Sequence, residues 1–334
     1  MTYVNHKASE KSMKKLAPIE MSRKFYVNQV APMIREKFPE YESRIAVGIA
    51  GEGSDCFGYD DFISRDHDYG TGVCLWLTDE DFVKIGYHLS IAYHELFAHQ
   101  SGTALSERLS DRRGVMKISD FYSNILLVDC DTDNCIMSEE QWLSLDHSCL
   151  ATAVNGEVFR DDLGKFTAFR QFLLDYYPDK IWRIRLAGEL HNFSSALQVN
   201  YMRCMLRKDY VAAEMCRGEG LKAAMQLFFL LKRAYAPYYK WTFRALQNFQ
   251  GEEEYAELVC KLATFPLDYE AWKYKSYLPG HLNYDDEIVN AAESLAQDIT
   301  KRLKEKGLIN AGDPYLERYV DEIIATEHLK EQGQ

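Results

Sequence analysis

Gly53-Ser54, then eleven residues, then Asp66-His67-Asp68 is the stretch of this 334-residue chain best suited to do chemistry. A glycine turn leaving a strand lets backbone N–H groups and a hydroxyl come close to phosphate oxygens. Two aspartates at i and i+2 on an extended chain share one face, roughly 6–7 Å apart along the strand. Mg²⁺ favours such hard carboxylates and completes its octahedron with water and triphosphate oxygens. A polar turn whose aspartates cap backbone groups uses the same residue types. What favours the phosphate-and-metal reading is the succession of strand, Gly-Ser turn, Asp-x-Asp and second strand. His67 points to the opposite strand face, which suits a hydrogen-bonded packing residue better than a ligand.

A second constellation is Tyr238-Tyr239-Lys240-Trp241 with Arg244. Pro237 suits a helix start, and Lys240 and Arg244 at i and i+4 share a face. Two such cations can grip a triphosphate, with Tyr239 stacking on or bonding the nucleotide. A solvated cationic face beside aromatic core residues fits the same pattern equally well.

Three further motifs favour plainer readings. Counting Asp129 as position 1, acidic residues fall at 1, 3, 5 and 12 (Asp129, Asp131, Asp133, Glu140), with Asn134 at the turn position of a calcium-type loop. The favoured account is a surface acidic loop, with Ser138 and Gln141 forming a capping box for the next helix. His94 and His99 are five apart, about 140° around a helix, so one metal does not take both. Tyr201–Lys208 carries three cations at spacings of an ordinary amphipathic helix.

Lys plus Arg total 39 against 51 Asp plus Glu, a formal net charge of −12. Bulk binding to a nucleic-acid backbone or an anionic membrane is therefore disfavoured, and any anionic ligand needs a local cluster of cations. No signal peptide or membrane-crossing run is read, and the eight scattered cysteines, none in CxxC spacing, read as reduced thiols. The expected location is the cytoplasm.

These residues need elements to position them. Residues 1–17 read as a Lys- and Ser-rich arm. Helical spacing covers about 20–38, and Pro39 ends it. Residues 44–50 read as a buried strand; 68–77 as a second, with Val73, Leu75 and Leu77 alternating against Cys74 and Trp76; 115–118 and 158–159 as a third and fourth. Thr78-Asp79-Glu80-Asp81 opens a helix through about His99. Beyond about 161, helical periods dominate: 166–177, 180–208, 210–234, 238–249, 252–278, 285–306 and 314–329. The expectation is an α/β domain over 18–163 followed by an all-α, helical-bundle domain over 164–334.

The stretch Gly51–Gly70 resembles the DNA-polymerase-beta-type nucleotidyltransferase superfamily. More closely, the chain resembles a bacterial family with a nucleotidyltransferase-like domain and no settled function, supported by Gly156–Thr167 and Tyr235–Arg244. Its plan is similar to that of antibiotic nucleotidyltransferases of the kanamycin and streptomycin type. The resemblance implies a small mixed-sheet nucleotidyltransferase domain, Gly53 and Ser54 on the triphosphate, and Asp66 and Asp68 on Mg²⁺. A third carboxylate is common on the next core strand of that superfamily. Here Lys117 stands near that position, and Asp120 or Glu157 is the substitute, unless the carboxylate is absent.

The implied function is metal-dependent transfer of a nucleoside monophosphate from an NTP, expected to be ATP, to an acceptor hydroxyl on a small molecule. The alternatives are transfer to RNA or protein, and a nucleotide-binding protein without catalysis. The oligomeric state is open, a homodimer among its possibilities.

Overall fold

Ala46–Ile49 (β1) is four residues long and buried throughout. An apolar run without alternation suits a strand covered on both faces, and β1 is internal to its sheet. The computed structural model describes residues 18–59, 71–98, 112–278 and 280–325. The arm before residue 18, the Asp66-His67-Asp68 stretch and His99 lie outside the described residues.

β1 pairs antiparallel with β2 (Cys74–Leu77) and with β4 (Glu157–Arg160), while β2 pairs parallel with β3 (Gly114–Lys117). The strand order is β3-β2-β1-β4, a small mixed sheet in a mixed α/β chain. Gly48 of β1 lies opposite Cys74, Cys74 opposite Gly114, and Ile49 opposite Glu157. One sheet edge therefore collects the end of β1 and the starts of β2, β3 and β4.

The expected alternation along β2 holds. Val73, Leu75 and Leu77 join Val47, Leu89, Tyr93 and Phe97 in one core cluster. Trp76 stacks on Phe166 at 3.8 Å and meets Phe121 edge-on. The helix after β2 runs from Asp79 through a π-helical stretch, Phe82–Gly86, to Ala98. Thr78 caps it by accepting from the Asp81 N–H at 3.2 Å, and the fully buried Asp81 carboxylate takes a fork of two bonds from Arg44, at 2.8 and 3.0 Å.

The chain divides into two units: residues 1–136 with 152–171, and residues 137–151 with 172–334. In place of a single cut near 163, it passes between them three times. The second unit is helical. Its longest helices are Tyr210–Lys232 and Glu287–Glu305. Trp182, on the helix Asp179–Phe193, donates its indole N–H to the Leu230 carbonyl at 2.9 Å. Arg302 donates to the Glu252 carboxylate at 2.7 Å, and Lys232 pairs with the same group.

Several expected elements are corrected. The helix expected over 252–278 spans Glu253–Thr264 and stops before Pro266, with Phe265 already extended (ψ 134°). The proline ring disfavours helical geometry at the preceding residue. The third strand is Gly114–Lys117, and Ile118 begins a helix to Leu126 that strand-like residue types hid. The long period 180–208 is interrupted by a π-helical stretch, Ser194–Asn200. No described helix is long and apolar enough to cross a membrane. All eight cysteines are free.

Gly156 makes the β1–β4 pairing possible. Its φ is +66°, and an added Cβ would run into the Ile49 carbonyl. Gly58 has nearly the same φ, +67°, with nothing within 4 Å. Gly58→Ala should therefore lower stability by about 1 kcal/mol, the left-handed strain alone. Gly156→Ala should lose at least about 2–3 kcal/mol, strain plus overlap. Urea unfolding of the two variants checks this, and equal losses would contradict the steric part.

Candidate functional site

The chain leaves β1 through Ala50 into a turn that only glycine adopts readily: φ is +102° at Gly51 and +123° at Gly53. The turn continues through Ser54 to Tyr59, whose N–H donates to the Ser54 carbonyl at 2.8 Å. Ser54 is half-buried, and its hydroxyl makes no hydrogen bond among the described residues.

Two distant side chains hold the turn in place. Asn155, just before β4, accepts from the Gly51 N–H and donates to the Gly51 carbonyl, both at 2.8 Å. Its amide thus replaces a strand partner for Gly51. Arg113, just before β3, is 3% exposed. It donates to the Asp55 carboxylate at 2.9 Å, to the Cys56 sulfur at 3.1 Å and to the Ala50 carbonyl at 3.3 Å. Asp55 in turn accepts from the Cys56 N–H at 3.0 Å. A second, more exposed pair joins Arg112 to Glu52 at 3.1 Å.

Burial opposes the charge on Arg113, but its net shift is upward, and near pH 7 the charged neighbour that favours the guanidinium is the Asp55 carboxylate at 2.9 Å. Burial pushes the Cys56 thiol up to about 12 and the Cys74 thiol in the same direction, so both are neutral near pH 7. Neither is an activated nucleophile. They serve as soft packing beside a buried cation.

The start of β2 lies on the same edge. The Tyr93 hydroxyl accepts from the Val73 N–H at 2.9 Å and donates to the Val73 carbonyl at 3.1 Å. Gly53 and Ser54 therefore sit in a braced turn next to the strand that follows the Asp66-His67-Asp68 stretch; Asp66 and Asp68 themselves lie outside the described residues.

The two substitutes for a third carboxylate fall at different places. Glu157 opens β4 on the edge carrying the turn, half-exposed and paired with Arg23. Asp120 follows the far end of β3, since Lys117 lies opposite Leu77. It is exposed and pairs with Lys117 at 3.7 Å. The structure thus brings Glu157, not Asp120, to the edge that bears Gly53.

Tyr239, Lys240 and Arg244 belong to the second unit, on the helix Tyr239–Gln247. All three are exposed, and the two cations flank one ring: Lys240 Nζ lies 5.0 Å and Arg244 Cζ 5.6 Å from the Trp241 centroid. The expected shared cationic face is present.

The acidic loop is closed on itself. Asp131 accepts from the Asn134 N–H at 3.0 Å and from its amide at 2.9 and 3.1 Å, which holds its carboxyl below the usual range. Asp133 pairs with Lys165. The Ser138–Gln141 capping box forms as expected. Among the described residues, no group of three or more His, Cys, Asp or Glu is arranged to hold a metal.

Residues 142–242 match a protein-family model described as a domain of unknown function, DUF4037. The match covers less than half of the chain. It takes in Asn155, Gly156, Glu157, Tyr239 and Lys240, whereas Gly53, Ser54, Arg113 and Arg244 lie outside it. Comparison with curated proteins and with solved structures returns no match to this chain.

Sequence reasoning passed over Arg113 and Asn155. Asn155-Gly156 is a turn dipeptide whose position before a strand was a usable signal. Arg113 carried none, since an arginine before a strand usually faces water.

Proposed function

We propose that the chain is a metal-dependent nucleotidyltransferase that moves a nucleoside monophosphate from an NTP, expected to be ATP, to a hydroxyl of a small molecule. The observation that carries this reading is the Gly51–Ser54 turn, braced by Arg113 and Asn155 at the sheet edge shared with the start of β2. A preorganised turn keeps backbone N–H groups and a hydroxyl in place, so little ordering is left to be done when phosphate arrives. Its Ser54 hydroxyl, which makes no hydrogen bond among the described residues, and its glycine backbone fit a triphosphate, and the Asp66–Asp68 pair is the donor set suited to Mg²⁺.

In that role Asp66 and Asp68 would hold the ion, which would offset phosphate charge. Gly53 and Ser54 would fix the β- and γ-phosphates. The acceptor oxygen then attacks the α-phosphorus, the bond to the β-phosphate oxygen breaks, and pyrophosphate leaves. Glu157 is the carboxylate at this edge available to take the hydroxyl proton, once released from Arg23. A protein that binds nucleotide without turnover is the second reading, and the Arg23–Glu157 pair favours it, because a neutralised carboxylate is a poor base.

Incubation with each NTP, Mg²⁺ and an extract of small metabolites is expected to release pyrophosphate, and EDTA to abolish both release and NTP binding. Without the ion, two aspartates repel a triphosphate. Calorimetric titration of ATP and GTP that gives equal affinity in Mg²⁺ and EDTA would refute the metal-bridged site. Metal-dependent binding without pyrophosphate would select the second reading.

A further inference from the structure

The helical unit holds a cavity of about 820 Å³ whose wall is unusual for so acidic a chain. Four tyrosines around it, Tyr274, Tyr277, Tyr284 and Tyr315, are 88%, 54%, 62% and 43% exposed. Large aromatic rings left open to water around a concavity mark a binding surface rather than a core. Three cations stand at one end, where Arg203 and Lys275 are shared with an adjoining pocket of about 570 Å³ that Arg207 also lines. Arg203 donates to the Tyr277 hydroxyl at 3.2 Å and lies 5.7 Å from its ring centre. Lys275 pairs with Asp285 at 2.6 Å. The Arg207 guanidinium has no partner among the described residues.

The cavity also has a polar floor. Glu293 is 4% exposed, and its Oε1 accepts from the Gln198 amide at 2.9 Å. Gln198 uses both of its N–H donors, giving the second to the Pro314 carbonyl, and its oxygen accepts from the Leu316 N–H. Glu293 makes no other hydrogen bond among the described residues. Burial raises its carboxyl above the usual range.

We propose that this cleft binds a free nucleoside phosphate, with the base between the tyrosines, its hydrogen-bonding edge on Glu293, and the phosphate on Arg203, Arg207 and Lys275. Each part of such a ligand meets its complement: a planar ring meets exposed π-faces, an N–H edge meets a buried carboxyl, and an anion meets cations that outnumber their acidic partners. The enclosed volume is that of a small-ligand pocket, which favours a mononucleotide over a long strand. This site lies wholly within the second unit and shares no residue with the Gly53–Ser54 turn.

The test is calorimetric titration of the full chain with AMP, GMP, CMP and UMP in EDTA, which removes the ion on which the triphosphate site depends. At least one monophosphate should bind in the micromolar range. Tyr274→Ala and Tyr284→Ala, both at exposed positions, should each weaken it roughly 5- to 100-fold without changing the melting temperature. The Arg203→Ala, Arg207→Ala double variant should weaken it tenfold or more. No binding of any monophosphate, binding unchanged in all of these variants, or binding only of a short single-stranded oligonucleotide would each overturn the proposal. The result leaves the metal-dependent reading standing or falling by its own titration.

Discussion

Asp66→Asn and Asp68→Asn should each abolish nucleotidyl transfer, and the double variant should be little worse than either. Two carboxylates on one ion act as a unit, because losing either ligand already loses the ion's geometry, so their effects are strongly non-additive. The loss should exceed the roughly 10–100-fold that changes behind a metal's own ligands produce. Stability should move the other way. Neutralising one of two neighbouring carboxylates relieves repulsion when no metal is bound, so the melting temperature without metal should hold or rise. Aspartates that merely cap the backbone predict a lower melting temperature and retained transfer. Measuring transfer rate and metal-free melting temperature for the three variants separates these outcomes, and reduced stability with retained transfer would end the case for the pair.

Arg113→Met should be the most damaging single change to the turn. The guanidinium is almost wholly buried and bonds Asp55, Cys56 and the Ala50 carbonyl. Removing it leaves the Asp55 carboxylate, itself only 15% exposed, without its cation. Breaking a buried pair in this way costs about 3–5 kcal/mol. Arg113→Lys should fall between, since an ammonium keeps the charge but lacks the fork that reaches Asp55, Cys56 and two backbone carbonyls. Urea unfolding gives the stability, and hydrogen exchange over residues 51–59 shows whether the loss is centred on the turn. A loss below about 1 kcal/mol for Arg113→Met, with unchanged exchange there, would mean that the turn holds its shape without this residue. The Asn155 bonds to Gly51 would then be its main brace.

Local patterns proved readable wherever the cause of the structure is local. The alternation of Val73, Leu75 and Leu77 against Cys74 and Trp76 gave β2 its two faces, because strand side chains alternate every residue. The Ser138–Gln141 capping box needs only residues three apart, and it formed. Apolar periodicity misled where it ignored backbone restrictions. Residues 252–278 keep a helical rhythm past Thr264, but Pro266 ends the helix there. Ile118–Leu126 went unread because its β-branched start continued the strand before it.

Short-range patterns were enough to show that four short strands precede a long helical stretch, that Gly53-Ser54 follows a strand, and that Lys240 and Arg244 share a helix face. Each follows from residues a few positions apart. Tertiary structure decided what surrounds the turn. Asp55 and Arg113 are 58 positions apart, and Gly51 and Asn155 are 104 apart. Which of Glu157 and Asp120 reaches the edge bearing Gly53 depended on the direction and register of β3 and β4, not on either residue's neighbours. Register is set by how whole strands bury their faces against one another, an energy spread over many distant residues, so no local spacing records it.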